Sequence, residues 1–230
     1  MRPRWLAAGA LVIAAVALVV RFPSAPIGSA APPPLVVATT GCGHAPAETG
    51  SGVGVAQELV LTAAHVVVAA DQVRVTVDGQ TTPAEVVALD TRSDVAVLRL
   101  KGVALAEAPP FRPATVVEGD DVTLTTAVSG EVSATVRRAG RIGIERVRAD
   151  ERILRSGYEL DATVTPGDSG AGAFTAEGRL VGIVFASGEG NTVWLSAADE
   201  ISAVLDQAAA AEFAWHCVPS RSRVVPTATP

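Results

Sequence analysis

Lysine is almost missing from this chain: Lys101 is the only one among 18 basic residues, and the remainder are arginine. Together with abundant alanine, that bias points to a GC-rich bacterial genome and says nothing of mechanism. Aromatic residues are also scarce, at 4%, while glycine and proline are frequent, at 21 and 15 residues. Few aromatics and many turn formers argue against a helical bundle and for a β-rich fold. A net charge of −6 argues against nucleic acid as a main partner. No alternation of strand and helix patterns is present, which disfavours a parallel sheet. Cysteine is limited to Cys42 and Cys217, which bracket nearly everything that reads as folded. In an exported chain such a pair is expected to form a disulfide. Closing so long a loop would stabilise by up to about 5 kcal/mol in the chain-entropy model.

The one long apolar run lies at the N-terminus. Arg2 and Arg4 precede Trp5 to Val20, which is closed by Arg21. A basic start followed by 16 apolar residues is an export signal, long for a cleaved signal peptide and slightly short for a span. Gly28-Ser29-Ala30 offers small residues for cleavage. Uncleaved, residues 5–20 would anchor the protein in a membrane, with the basic end inside. Either way an extracytoplasmic location is expected. Residues 1–21 are therefore read as signal peptide or anchor, and the Pro/Ala-rich residues 22–40 as a linker. A folded domain is expected from 41 to 218 and a disordered tail over 219–230.

From Thr49 onward, short apolar runs alternate with turn residues. Glu58 to Thr62, Val73 to Val77, Ala84 to Leu89 and Val95 to Leu100 read as strands, and Asp78-Gly79 as a hairpin turn. Ala108-Pro109-Pro110 and Arg112-Pro113 interrupt and mark a junction. Beyond them, Asp121 to Val128 and Glu131 to Val136 flank Ser129-Gly130. Tyr158 to Val164, Ala171 to Thr175, Leu180 to Phe185 and Thr192 to Leu195 follow. Many strands of five to eight residues point to a barrel or sandwich. One helix is expected over 197–212, capped by Ser196, with Ile201, Val204, Leu205 and Ala208 on one face.

Three short stretches carry chemistry. Gly167-Asp168-Ser169-Gly170 places a serine between glycines, with an aspartate before it. A serine hydroxyl needs a base within hydrogen-bond reach, a third group to orient that base, and backbone donors for the oxyanion. The N–H groups of Gly167 and Ser169 are the candidate donors, because Gly167 is free to take backbone angles closed to other residues. Alone, this tetrapeptide is an ordinary surface turn. His65 ends the strand Leu59 to Thr62, and Asp94 precedes the apolar strand Val95 to Leu100. His65 is the candidate base and Asp94 the group that orients it. His44 and His216 lie beside the cysteines near the domain ends. A zinc site from Cys42, His44, His216 and Cys217 would require all four to converge, and neither metal nor cofactor is expected.

Thr62-Ala63-Ala64-His65, Ser93-Asp94-Val95-Ala96-Val97-Leu98 and Gly167-Asp168-Ser169-Gly170 resemble the three signature segments of trypsin/chymotrypsin-fold serine proteases, in that family's order. Short gaps and the continuation His65-Val66-Val67 are more similar to the bacterial HtrA-type branch or its small membrane-anchored periplasmic relatives. The resemblance covers roughly Gly50 to Leu205. It implies an all-β fold of two six-stranded antiparallel barrels, over about 49–112 and 113–197, with a short C-terminal helix. It further implies Ser169 as nucleophile, His65 as general base and acid, and Asp94 as the group that fixes the His65 tautomer.

Some departures bear on function. Ala171 stands where the family usually has glycine. Only 13 residues follow Cys217, so no PDZ domain is expected. No basic residue is followed by Ile-Val-Gly-Gly, so Asp168 lacks the new N-terminus that activates zymogen-type relatives. The floor of the family's primary pocket falls on Thr163 and its wall on Phe185, Ala186 and Ser187. Without an acid at the floor, a small or medium apolar residue is expected before the cut rather than Arg or Lys. Arg137, Arg138, Arg141, Arg146, Arg148, Arg152 and Arg155 read as a solvated basic loop, the alternative being a regulatory loop or a contact with anionic wall or membrane material. The overall expectation is a serine endopeptidase acting on proteins or peptides. Its rivals are a catalytically silent scaffold on the same fold and an esterase. For the esterase, the Gly-x-Ser-x-Gly elbow is only half matched and the order Ser–Asp–His is absent.

Overall fold

In the computed structural model, residues 31–43, 45–106, 110–145 and 152–210 are described. They form two closed six-stranded antiparallel barrels and a C-terminal helix. The first barrel comprises β1 (Leu35–Gly41), β2 (Thr49–Ala56), β3 (Leu59–Ala63), β4 (Ala70–Val77), β5 (Gln80–Asp90) and β6 (Val95–Leu100), with a one-turn helix α1 (Ala64–Val67) after β3. Pairing of β1 with β4 closes it. The second comprises β7 (Asp121–Thr126), β8 (Gly130–Glu145), β9 (Arg152–Asp161), β10 (Gly172–Phe174), β11 (Leu180–Gly188) and β12 (Thr192–Ala197), closed by β7 against β10. Helix α2 (Ala198–Ala210) follows directly.

Period-2 alternation explains most of these strands. In β4, Val73, Val75 and Val77 are buried and Arg74 is exposed, so one face fills the barrel and the other meets water. The chain then reverses at Asp78-Gly79, where both residues have positive φ, 49° and 77°. This is the geometry a two-residue primed turn requires. By contrast β6 is buried almost throughout, from Val95 to Leu98. One side of it fills the first barrel, through Ala96 and Leu98. Val95 and Val97 on the other side join Leu61, Phe174, Ile183 and the α2 residues Ile201 and Val204 in a shared cluster. Each such side chain removed from water contributes roughly 1.5–3 kcal/mol. The helix therefore clamps the two barrels together through the i, i+3, i+7 face expected of it.

The structure corrects three expectations. Residues 35–40, at the end of the stretch read as linker, form β1 together with Gly41: three consecutive strand formers, Leu35-Val36-Val37, override the prolines before them and pair with β2 and β4. Ser196 does not cap α2. It is the buried penultimate residue of β12, and its hydroxyl is committed elsewhere. The arginine-rich stretch is not simply a solvated loop, because its described parts form the β8–β9 hairpin. Arg137 and Arg138 lie exposed on it, paired with Asp161 at 2.8 Å and Glu159 at 2.6 Å. Arg155, farther along the hairpin in β9, is 2% exposed. Residues 1–30 and 211–230, which include the predicted leader 1–21 and tail 219–230, lie outside the described residues, and so do Arg146 and Arg148. Among the described residues, no helix is long and apolar enough to cross a membrane.

Ser51 of β2 fastens the barrels at their meeting point. Its N–H donates to Ser169 O at 2.7 Å. The hydroxyl donates to Gly167 O at 2.9 Å and accepts from Ala127 N–H at 3.0 Å. Its carbonyl accepts from Thr62 Oγ1 at 2.8 Å. Gly170 sits against this junction with φ +90°, and a side chain there would meet Ser51 O at 2.1 Å and Thr62 Oγ1 at 2.6 Å. Gly170→Ala is expected to destabilise by about 3 kcal/mol. Gly79→Ala, at φ +77° in open space, is expected to cost only about 1–2 kcal/mol. Urea denaturation of the two variants measures the difference.

Candidate active site

His65 is held by Asp94 at two points. The His65 backbone N–H donates to Asp94 Oδ1 at 2.8 Å, and ring Nδ1 lies 2.8 Å from Oδ2. Ala64 N–H donates in turn to Asp94 O at 3.1 Å. The one-turn helix α1 is thus seated on the aspartate, which fixes the ring plane and leaves Nε2 as the free nitrogen. Asp94 takes φ +54°, a conformation non-glycine residues rarely adopt and one that marks constrained sites. The preceding turn enforces it: Asp90 accepts from Arg92 N–H at 2.8 Å, Ser93 N–H at 3.3 Å and Ser93 Oγ at 3.0 Å. The Asp94 side chain is 4% exposed and that of His65 is 36% exposed, so the carboxylate is sequestered and the imidazole faces solvent. Burial opposes charge on the ring. The hydrogen bond and charge of Asp94, helped by Glu48, outweigh it and hold His65 above the ordinary 6.5.

Ser169 comes from the second barrel, in the loop between β9 and β10. Its carbonyl is fixed by Ser51, and the next residue, Gly170, donates to Val184 O at 2.8 Å. The loop therefore lies against β2, and Gly170 also approaches Thr62 and Ala63 at the end of β3, the strand that leads into His65. Among the described residues, no hydrogen bond joins Ser169 Oγ to His65. The Gly167 and Ser169 N–H groups, expected to serve an oxyanion, donate to no acceptor among the described residues, whereas Asp168, Gly170 and Ala171 N–H are all engaged. Gly167 has φ +102°, which turns the loop so that these two donors stay unused. Ala171, which replaces the family's usual glycine, is wholly buried.

Asp168 has partners of its own. It is fully buried, and its carboxylate accepts from Ser129 N–H at 3.2 Å, Ser129 Oγ at 2.6 Å, Thr165 N–H at 2.8 Å and Thr165 Oγ1 at 3.2 Å. Burial disfavours its charge, but the hydrogen bonds from Ser129, Thr165 and Thr126 prevail and keep it below its ordinary value of 3.8. Neutral donors from the β7–β8 turn and from its own loop thus surround the carboxylate, where the resemblance to zymogen-type proteases would call for a new N-terminus. Sequence reading missed Ser129 because it looked like a turn residue and nothing more.

The pocket candidates are spread over two strand ends. Thr163 is exposed and donates to Asn191 Oδ1 at 3.1 Å. Phe185 is buried, Ala186 half-buried and Ser187 exposed along β11. The Phe185 ring covers the Arg155 guanidinium, 4.3 Å from ring centroid to carbon. Cys42 is buried at the end of β1, while His44, His216 and Cys217 lie outside the described residues. Among the described residues, no group of three or more His, Cys, Asp or Glu side chains forms a metal site.

A model of the trypsin-like peptidase domain matches residues 50–183. The chain belongs to that family. It is 31% identical over 150 residues to the putative serine protease HhoB of Synechocystis, covering 60% of this chain and 35% of that protein. It is 29% identical over 149 residues to the serine protease HTRA1 of Xenopus laevis, covering 60% and 31%. The chain thus spans about a third of the length of these relatives. Among solved structures, the active form of the Rv3671c protease from M. tuberculosis superimposes with a TM-score of 0.69 at 26% identity, covering 76% of this chain and 80% of that one. The HtrA-type protease AlgW with a tripeptide gives 0.63 at 25%, covering 77% and 60%.

The depressed Asp168 carboxyl has a consequence for stability. A carboxyl that ionises more readily when folded stabilises the fold above its unfolded pKa. That contribution is lost as pH falls through the folded value. Asp168→Asn and Ser129→Ala are each expected to lower stability at pH 7 by about 1–3 kcal/mol. They are also expected to flatten its decline below pH 4. Urea midpoints between pH 2 and 7 measure both effects.

Proposed function

We propose that this protein is a serine endopeptidase whose nucleophile is Ser169, general base and acid His65, and orienting acid Asp94. One observation carries the reading: Asp94 grips both the backbone and the ring of His65, beside a serine loop with two unengaged N–H groups. In the proposed reaction, substrate binding brings Ser169 Oγ to His65 Nε2. The ring takes the hydroxyl proton as oxygen attacks the scissile carbonyl, and the N–H groups of Gly167 and Ser169 receive the oxyanion. His65 then protonates the leaving amine, and water hydrolyses the acyl-enzyme by the same route in reverse. Family membership and the similarity to HtrA-type proteases support a protein or peptide substrate.

Thr163 at the expected pocket floor carries no charge, which supports a small or medium apolar residue before the cut. The N-terminal apolar run supports export, as a secreted or membrane-anchored protein outside the cytoplasm. In that setting a Cys42–Cys217 disulfide would close the domain.

A fluorophosphonate probe tests the nucleophile. Wild-type protein is expected to label and Ser169→Ala to lose all labelling. Labelling that persists in the variant would remove Ser169 from the role, and a wild type that never labels would favour a silent scaffold. Because His65 must be neutral to act as base and is held above 6.5, the acidic limb of the labelling rate is expected to have its midpoint above pH 6.5.

A further inference from the structure

Arg155 is the least expected side chain near the site. It lies in β9 with 2% exposure, among the largest fully buried side chains of the molecule. Its guanidinium is capped on one face by Phe185, and Nη1 donates to Ser196 Oγ at 3.2 Å. Ser196 Oγ in turn donates to the carbonyl of Ser93, the residue before Asp94. Among the described residues, Nε has no partner and no carboxylate lies within 4 Å of the group. Burying a cation without a contact counter-ion costs folding free energy. A group kept at such cost beside a functional pair is a candidate for a role in that pair.

Charges converge on it from several elements. Asp94 and Asp90 approach from the ends of the β5–β6 turn and Glu200 from α2, whose Oε1 accepts from Ser156 N–H at 2.8 Å. Burial lowers Arg155 to about 10, and these three acids oppose the fall, so the side chain stays charged at neutral pH. His65 faces Asp94 and Glu48, which favour its protonated form, and Arg155, which disfavours it.

We propose that Arg155 is a positioning residue for the His65–Asp94 pair: through Ser196 and Ser93 it fixes the Asp94 turn from behind, and its positive field acts on the His65 ring. This inference rests on reading His65 and Asp94 as the catalytic base and its orienting acid. It assigns Arg155 a division of labour. The hydrogen-bond chain holds Asp94 in its left-handed conformation. The charge counters the pull of Asp94 and Glu48, keeping His65 from binding its proton too tightly to serve as a base near neutral pH. Phe185 supplies the polarisable face that makes the buried cation tolerable. It also links this charge to the expected substrate-pocket wall.

The test uses imidazole NMR titration of His65 together with the pH dependence of fluorophosphonate labelling. The His65 signal is assigned by its loss in His65→Gln. In Arg155→Met, the His65 midpoint is expected to rise and the acidic limb of labelling to move up with it. Arg155→Lys is expected to restore both towards wild type. Ser196→Ala keeps the charge and breaks the chain. It is expected to lower the plateau labelling rate roughly tenfold, a part of what general-base catalysis supplies, without raising the midpoint. An Arg155→Met midpoint that stays or falls overturns the electrostatic role, and an unchanged Ser196→Ala plateau overturns the positioning role. If Arg155→Met does not fold, Arg155→Gln, equally neutral but able to hydrogen-bond, reads the charge in its place, and Ser196→Ala reads the chain. A wild type that never labels sinks the catalytic reading alone, since the titration reads Arg155 without any activity.

Discussion

Ser51 uses every hydrogen-bonding group it has, and three of its four bonds reach across from the first barrel to the second. Its N–H holds Ser169 O, and its hydroxyl bridges Gly167 O and Ala127 N–H, while Thr62 holds its carbonyl from within its own barrel. A buried polar group left without partners costs about 1–3 kcal/mol, so these bonds resist separation individually and as a set. The two barrels have separate cores. What couples them is this polar junction, the bond from Ser196 to Ser93 and the apolar cluster beneath α2. Because the same residue touches both Gly167 and Ser169, fixing the barrels and fixing the serine loop are one event.

Electrostatics divides the site along the same seam. Asp94 and His65 belong to the first barrel and Asp168 to the second, and each buried carboxylate is stabilised differently. Asp168 sits in a shell of neutral donors from Ser129 and Thr165. Such a shell is present as soon as the chain folds. Asp94 instead has a ring and a backbone N–H in contact, with a buried cation at longer range.

Much of this was legible in the residues. Alternation at Val73 to Val77 and the Asp78-Gly79 turn located a hairpin, and Ile201, Val204 and Ala208 located the apolar face of α2. His65 and Asp94 stood out because one follows a strand and the other precedes one, and the structure joins them by two hydrogen bonds. Three features were hidden, each because a local signal was outweighed by a distant partner. Leu35 to Gly41 looked like the end of a proline-rich linker, yet two strands recruit it into the barrel. Ser196 had the spacing of a helix cap, but Ser93, far away in sequence, accepts its hydroxyl. Arg155 sat among exposed arginines. The parity of β9 gave no hint of its burial: Tyr158 and Leu160 fill the barrel from one face, and Arg155 lies on the other, with Gly157 and Glu159. No periodicity within one strand reports that an arginine will find an aromatic face in another.

The central claim is that the Ser51 junction makes the serine loop as stable as the barrels themselves. Native-state hydrogen exchange reads this directly, through the Ser51 amide bonded to Ser169 O and the Gly170 amide bonded to Val184 O. Both are expected to exchange only through global unfolding, with the same free energy as the amides of the β6 core. Exchange of the Ser51 and Gly170 amides by local opening, while β6 remains protected, would contradict the account.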